Sequence, residues 1–133
     1  MTRLSPVTSP LVPRLVASFR TRLFAALSYL VVGVLMFIPM PSSGGPPTLP
    51  HLDKLVHVAC WGLLGFATWL VVARQRWFWA VGLAALFGVL VEFGQSLTAT
   101  RSADLWDALA DLIGAALGAT LAHFMNARTG APP

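Results

Sequence analysis

Four apolar stretches, each long enough to cross a bilayer, account for most of this 133-residue chain. Residues 23–40 contain no charged side chain, and residues 55–73, 77–97 and 105–125 carry no more than two acids each. A helix of about 20 residues spans a hydrocarbon core of about 30 Å. In lipid the backbone must satisfy its own hydrogen bonds, which a helix does within one segment. Composition closes off the soluble alternative. Hydrophobic residues make up 56% of the chain and charged residues 11%, with a mean hydropathy of +0.73. That leaves too little polar surface to cover a water-soluble fold. The expected fold class is therefore all-α, a four-helix polytopic transmembrane bundle. We expect one membrane domain over residues 23–125, a basic cytoplasmic arm over 1–22 and a short cytoplasmic tail over 126–133. The first stretch reads as a retained span. It exceeds the usual 7–15 residues of a signal-peptide core, and no clean Ala-x-Ala site follows it.

Arginine placement predicts the topology. Arg3, Arg14, Arg20 and Arg22 precede the first span, Arg74 and Arg76 flank the turn after the second, and Arg128 lies in the tail. The two remaining loops hold only Lys54 and Arg101. Positive residues favour the cytoplasm, so both termini and the 74–76 turn are expected inside, with loops 41–54 and 98–104 outside. Trp69, Trp77, Phe78 and Trp79 around the inner turn suit an interfacial belt. The net charge of +4 then reads as topology and gives no nucleic-acid surface. A single cysteine, Cys60, excludes an internal disulfide. No phosphate-binding glycine loop, zinc-type Cys/His spacing or Ser-His-Asp order is present.

The five acids carry the functional information. They are Asp53, Glu92, Asp104, Asp107 and Asp111, and this topology puts all of them at the outer ends of spans. An ionisable group at a helix centre costs about 2.5–3.5 kcal/mol on insertion scales, so each is a candidate functional residue. On the fourth span Asp104, Asp107, Asp111, Gly114, Gly118, Leu121 and Met125 recur every three or four residues, one stripe down a helix. Gly114 and Gly118 form a small-x-x-x-small pair suited to close helix packing. The third span aligns Gly88, Glu92 and Gln95. The second aligns Asp53, His57 and Trp61, and Asp53 at i−4 is placed to orient the His57 imidazole. Lys54 and Arg101 are the nearby cations. Glu92 lies about 7–8 Å below Leu97, and Asp111 about 10 Å below Asp104, at 1.5 Å per residue. The two carboxylates are thus expected at similar depth, buried and facing the same cations. The ligand types would suit a hard cation, but no spacing is diagnostic, so we expect neither metal nor other cofactor. Ser96, Ser102 and Cys60 have no evident activating base.

In order and spacing, Asp53-Lys54-x-x-His57-x-x-x-Trp61, Glu92-x-x-Gln95 and Arg101-x-x-Asp104-x-x-Asp107-x-x-x-Asp111-x-x-Gly114-x-x-x-Gly118 resemble the VanZ-like family of small bacterial membrane proteins. The resemblance covers roughly residues 30–124. It implies a multi-pass protein of the bacterial cytoplasmic membrane with a polar outer site, and its namesake is associated with resistance to the glycopeptide teicoplanin. Two positions depart from the family pattern. Trp61 stands where Tyr is usual, which rules out a phenolic role, and Asp111 stands where Asn is common.

Three functions compete. The first is a non-catalytic module that binds a lipid headgroup or cell-wall precursor at its outer face. The second is an intramembrane enzyme acting on a lipid-linked substrate, with His57 and Glu92 as acid and base. The third is a proton-coupled transport component, for which four spans are few without a homo-oligomer. All three share the lipid bilayer as partner, and none involves nucleic acid. Common to them is the shared outer face. Reporter fusions at Gly45 and Thr98 should read external and fusions at Gln75 and the C-terminus cytoplasmic, whereas an external Gln75 would break the shared-face argument.

Overall fold

The computed structural model describes residues 18–38, 52–72, 77–98 and 105–128. These form four helices, α1 (Phe19–Phe37), α2 (Leu52–Val71), α3 (Trp77–Ser96) and α4 (Leu105–Arg128), with no strand among the described residues. All four are long and apolar enough to cross a membrane. The basic arm up to residue 17, the 41–51 loop, Arg74, Arg76, Arg101, Asp104 and the last five residues lie outside the described residues.

The first helix corrects the expected boundaries. It opens at Phe19 instead of Leu23, because Ser18 caps it: the Thr21 amide donates to the Ser18 hydroxyl at 3.3 Å. Arg20 and Arg22 therefore lie on its first turn. It closes at Phe37 instead of Met40, with Ile38 extended at φ −71° and ψ 123°. Ile38 precedes Pro39, and a proline disfavours helical backbone in the residue before it. At the other end of the chain α4 continues through Arg128, past the expected limit at Met125.

Packing is tightest between α2 and α4, and small residues are the cause. A Cβ added to Gly118 would overlap the Gly62 carbonyl oxygen. One on Gly114 would overlap the Val58 carbonyl, and one on Gly65 the Ala115 carbonyl. The two backbones are thus in direct contact, the geometry that small residues permit between membrane helices. α2 and α4 each start at the same end of the bundle and run in the same direction. Reading inward, Lys54 lies beside Asp107, His57 beside Asp111, Val58 beside Gly114 and Gly62 beside Gly118. One parallel register accounts for all four pairs.

The fourth-span stripe holds only in its outer part. Asp111, Gly114 and Gly118 are buried, but Leu121 and Met125 face outward, and Ala115, Ala119 and Ala122 take the inner core positions. A spacing that averages 3.5 residues drifts about 20° per heptad around a 3.6-residue helix. By Leu121 the stripe has rotated off the seam. The aromatic belt is corrected at Trp69. Phe78 and Trp79 face outward, while Trp69 is buried against His123 with ring centroids 6.1 Å apart. Trp77 donates from Nε1 to the Thr120 hydroxyl at 3.1 Å. Near mid-span the Tyr29 hydroxyl donates to Thr68 Oγ1 at 2.8 Å, and Thr68 donates onward to the Leu64 carbonyl at 2.7 Å, tying α1 to α2.

Gly118→Leu should wedge the seam open. The expected loss is at least the 1–3 kcal/mol typical of overpacking, read as a lower melting temperature in detergent. Leu117→Ala on the exposed face beside it should change that temperature little.

Candidate functional site

α1 ends, α2 begins, α3 ends and α4 begins at one end of the bundle, and the polar side chains of the interior gather there. Lys54, on the first turn of α2, forms a short ion pair with Asp107 on the first turn of α4. It also meets Asp53 Oδ2 at 3.1 Å. One turn deeper, His57 Nδ1 lies 2.8 Å from Asp111 Oδ1. With Asp111 ionised the carboxylate only accepts, so Nδ1–H donates and the tautomer is set. His57 Nε2 is left on the side of Asp107, 3.9 Å from its Oδ2. The cluster grades from wet to dry. The Asp53 side chain is 53% exposed, that of Lys54 24%, that of Asp107 16% and that of Asp111 2%.

Aromatic packing holds the imidazole from behind. The Trp61 ring stacks on His57 at 5.5 Å with planes 7° apart. Trp61 is itself fully buried, and its indole Nε1–H donates to the Ala84 carbonyl of α3 at 3.0 Å. Trp61 therefore supplies a donor to backbone, where a tyrosine would supply a hydroxyl. Gly88 on α3 makes room for this arrangement. A Cβ there would lie 2.9 Å from both Asp111 Oδ2 and Trp61 Nε1. Asp111 Oδ2 is buried and has no hydrogen-bond partner among the described residues.

Several expected site residues fall where the spacing put them, and others do not. Glu92 and Asp111 are both buried, and Glu92 bears electrostatically on His57. Asp53 does not orient the imidazole; Asp111 does. The reason is depth: Asp53 lies on the first turn beyond the packed end of the bundle, where water competes for its carboxylate, and it turns to Lys54. Gln95 is buried but serves the helix ends. Its side-chain amide donates to the Met36 carbonyl at 2.6 Å, satisfying a group in the last turn of α1. Gly114 and Gly118 lie in the α2–α4 seam. Arg101 and Asp104 are outside the described residues. Sequence reasoning passed over Gly62, Gly65 and the role of Gly88. Gly62 and Gly65 are the glycines of α2 nearest His57, and their position there was the available signal. Among the described residues no three His, Cys, Asp or Glu side chains are grouped to hold a metal.

Four apolar spans enclosing one buried ionic cluster define a small multi-pass membrane protein with a polar site at one end. A family model described as VanZ/LLP1 matches residues 10–126, and the chain belongs to that family. No curated protein and no solved structure matches it.

The Lys54–Asp107 pair is sheltered enough that removing one partner has a cost. Lys54→Met should lower stability in detergent by about 1.5–3 kcal/mol, the range for a hydrogen bond to a charged group. Adding Asp107→Asn should recover most of the loss, since the stranded carboxylate is then gone. An unchanged melting temperature in Lys54→Met would mean the pair is idle.

Proposed function

We propose that this VanZ/LLP1-family protein binds the polar headgroup of a lipid or a lipid-linked cell-wall precursor at the Asp53–Lys54–Asp107 edge of its ionic cluster. Through that binding it alters envelope access and glycopeptide susceptibility in the bacterial cytoplasmic membrane. The observation that carries this reading is the gradient of exposure. Charged groups run from a half-exposed Asp53 down to a sealed Asp111 inside an otherwise apolar bundle. The outer members offer one ammonium and two carboxylates to a headgroup. The inner members fix their positions. Such charges are costly to hold in a membrane, and function is the usual reason they are kept.

A second reading has its own supporting observation, the buried Asp111 carboxylate on His57 Nδ1. A carboxylate there holds the imidazole in one tautomer and leaves Nε2 to accept a proton, the arrangement of a general base. On this reading the protein is an intramembrane enzyme acting on a lipid-linked substrate. Asp111, in the place expected of Asp53, then orients the histidine, with Glu92 as the second acid–base group.

The two readings separate on variants. For headgroup binding, Asp107→Asn should weaken phospholipid retention in native mass spectrometry by about tenfold, or ~1.4 kcal/mol. In a deletion strain it should also fail to restore wild-type teicoplanin susceptibility while reaching the membrane normally. Glu92→Gln should leave the protein folded in the membrane, because it keeps size and an acceptor oxygen. Full complementation by Asp107→Asn would rule out the headgroup reading. Turnover of a lipid-linked substrate that is lost in Asp111→Asn would establish the enzyme instead.

A further inference from the structure

In the half of the bundle that holds the ionic cluster, α1 and α3 meet at separate points, Tyr29 and Gly33 on Phe87, Phe37 on Gly94 and Met36 on Gln95. Between them lies an apolar groove of about 850 Å³. Leu30, Gly33, Val34 and Phe37 of α1 form one wall, and Phe87 and Leu90 of α3 the other. That volume falls within the range of small-molecule sites, about 300–1,000 Å³. We propose that this groove holds one acyl or isoprenoid chain of the lipid whose headgroup meets the ionic cluster. The proposal rests on the headgroup reading above and names the ligand class as an amphipath with a long hydrocarbon chain.

Three observations select this occupant. The first is length. The α1 lining runs from Tyr29 to Ile38, or about 13–14 Å at 1.5 Å per residue, roughly half of a 30 Å hydrocarbon core. That matches a chain confined to one leaflet. The second is level. The lining belongs to the last half of α1 and to Phe87–Val91 of α3, and Glu92 follows directly on α3. Groove and ionic cluster therefore occupy the same half of the membrane. The third is continuity. The Phe87 wall packs against Trp61, with ring centroids 6.3 Å apart, and Trp61 stacks on His57. The hydrocarbon groove thus backs onto the ionic cluster through two aromatic rings.

The remaining polar groups fit the same picture. The Tyr29 hydroxyl, the polar atom of the lining, is engaged by Thr68, so the groove offers nothing to a polar guest. At the cluster end Phe37 packs over Gly94, where an added Cβ would meet its ring at 2.8 Å, and Gln95 holds the Met36 carbonyl. These contacts lie at the cluster end of the groove, which is open along its side to the bilayer, the direction from which a lipid chain would arrive.

The test uses the full chain in vesicles of phosphatidylethanolamine and phosphatidylglycerol. A small fraction of the phosphatidylethanolamine carries a diazirine in one acyl chain. Illumination should label peptides covering 29–38 and 87–91 several times more heavily than the equally exposed Leu117 and Leu121 face of α4. Val34→Trp adds bulk from a lipid-facing position without touching the core. It should abolish the excess in the groove and leave α4 labelling unchanged. Uniform labelling of all exposed faces would overturn the proposal, since the groove then sees bulk lipid only. Crosslinking of two protein copies through 29–38 would overturn it too. Asp107→Asn separates the two layers of the argument. Groove labelling that survives in Asp107→Asn keeps the chain site and defeats the headgroup reading. Lipid retention that is lost in Asp107→Asn but unaffected by Val34→Trp does the reverse.

Discussion

Backbone contact between α2 and α4 is the constraint from which the rest follows. In a bilayer, lipid tails are as apolar as leucine, so helices gain little from hiding hydrophobic side chains against one another. Close approach and dispersion must supply the association instead. Gly65, Gly114 and Gly118 provide that approach, with carbonyl oxygens of the facing helix lying where their side chains would be, and Gly62 presents the carbonyl that Gly118 meets. A seam this close tolerates little sliding. It sets the register, and the register places Lys54 at Asp107 and His57 at Asp111. The glycines thus set the geometry of the site through the seam.

The ionic cluster is stable where it is because depth and pairing change together. At the end of the bundle Asp53 is half exposed and shares Lys54. Lower down, Asp107 takes the ammonium and Asp111 takes the imidazole. A lone charge at the Asp111 level would be expensive, and one paired with a hydrogen-bonding partner is less so. Trp61 and Gly88 complete the arrangement from opposite sides. The indole packs on the imidazole face and bonds to the Ala84 carbonyl, while the missing side chain at Gly88 leaves space for the Asp111 carboxylate. A rigid inner pair and a more exposed outer pair suit recognition of a headgroup at a fixed depth.

Much of this was legible in the sequence, because membrane helices announce themselves by length and because acids in apolar runs are rare. The four spans followed from length and hydropathy, and the burial of Glu92 and Asp111 from their places on the faces of apolar helices. Helix ends were less legible where a cap decided them: Ser18 and Pro39 moved both ends of α1. Partner choice was less legible still. Asp53 and His57 share a helix face at i, i+4, yet the bond to the imidazole comes from Asp111, far along the chain. Local spacing cannot show that, because the α2–α4 register depends on glycine contacts from both helices. Gln95 illustrates the same limit. Its face was correct, but the open carbonyl of Met36 that it satisfies belongs to another helix.

The account stands or falls on whether His57 and Asp111 act as one unit inside the bundle. A double-mutant cycle with His57→Ala and Asp111→Asn, measured by reversible unfolding in mixed micelles, isolates their interaction directly. The account predicts a coupling energy of about 1–3 kcal/mol, well above the ~0.3–0.5 kcal/mol scatter of independent sites. Additive effects of the two substitutions would contradict it, and would mean that the register of α2 on α4 differs from the one described here.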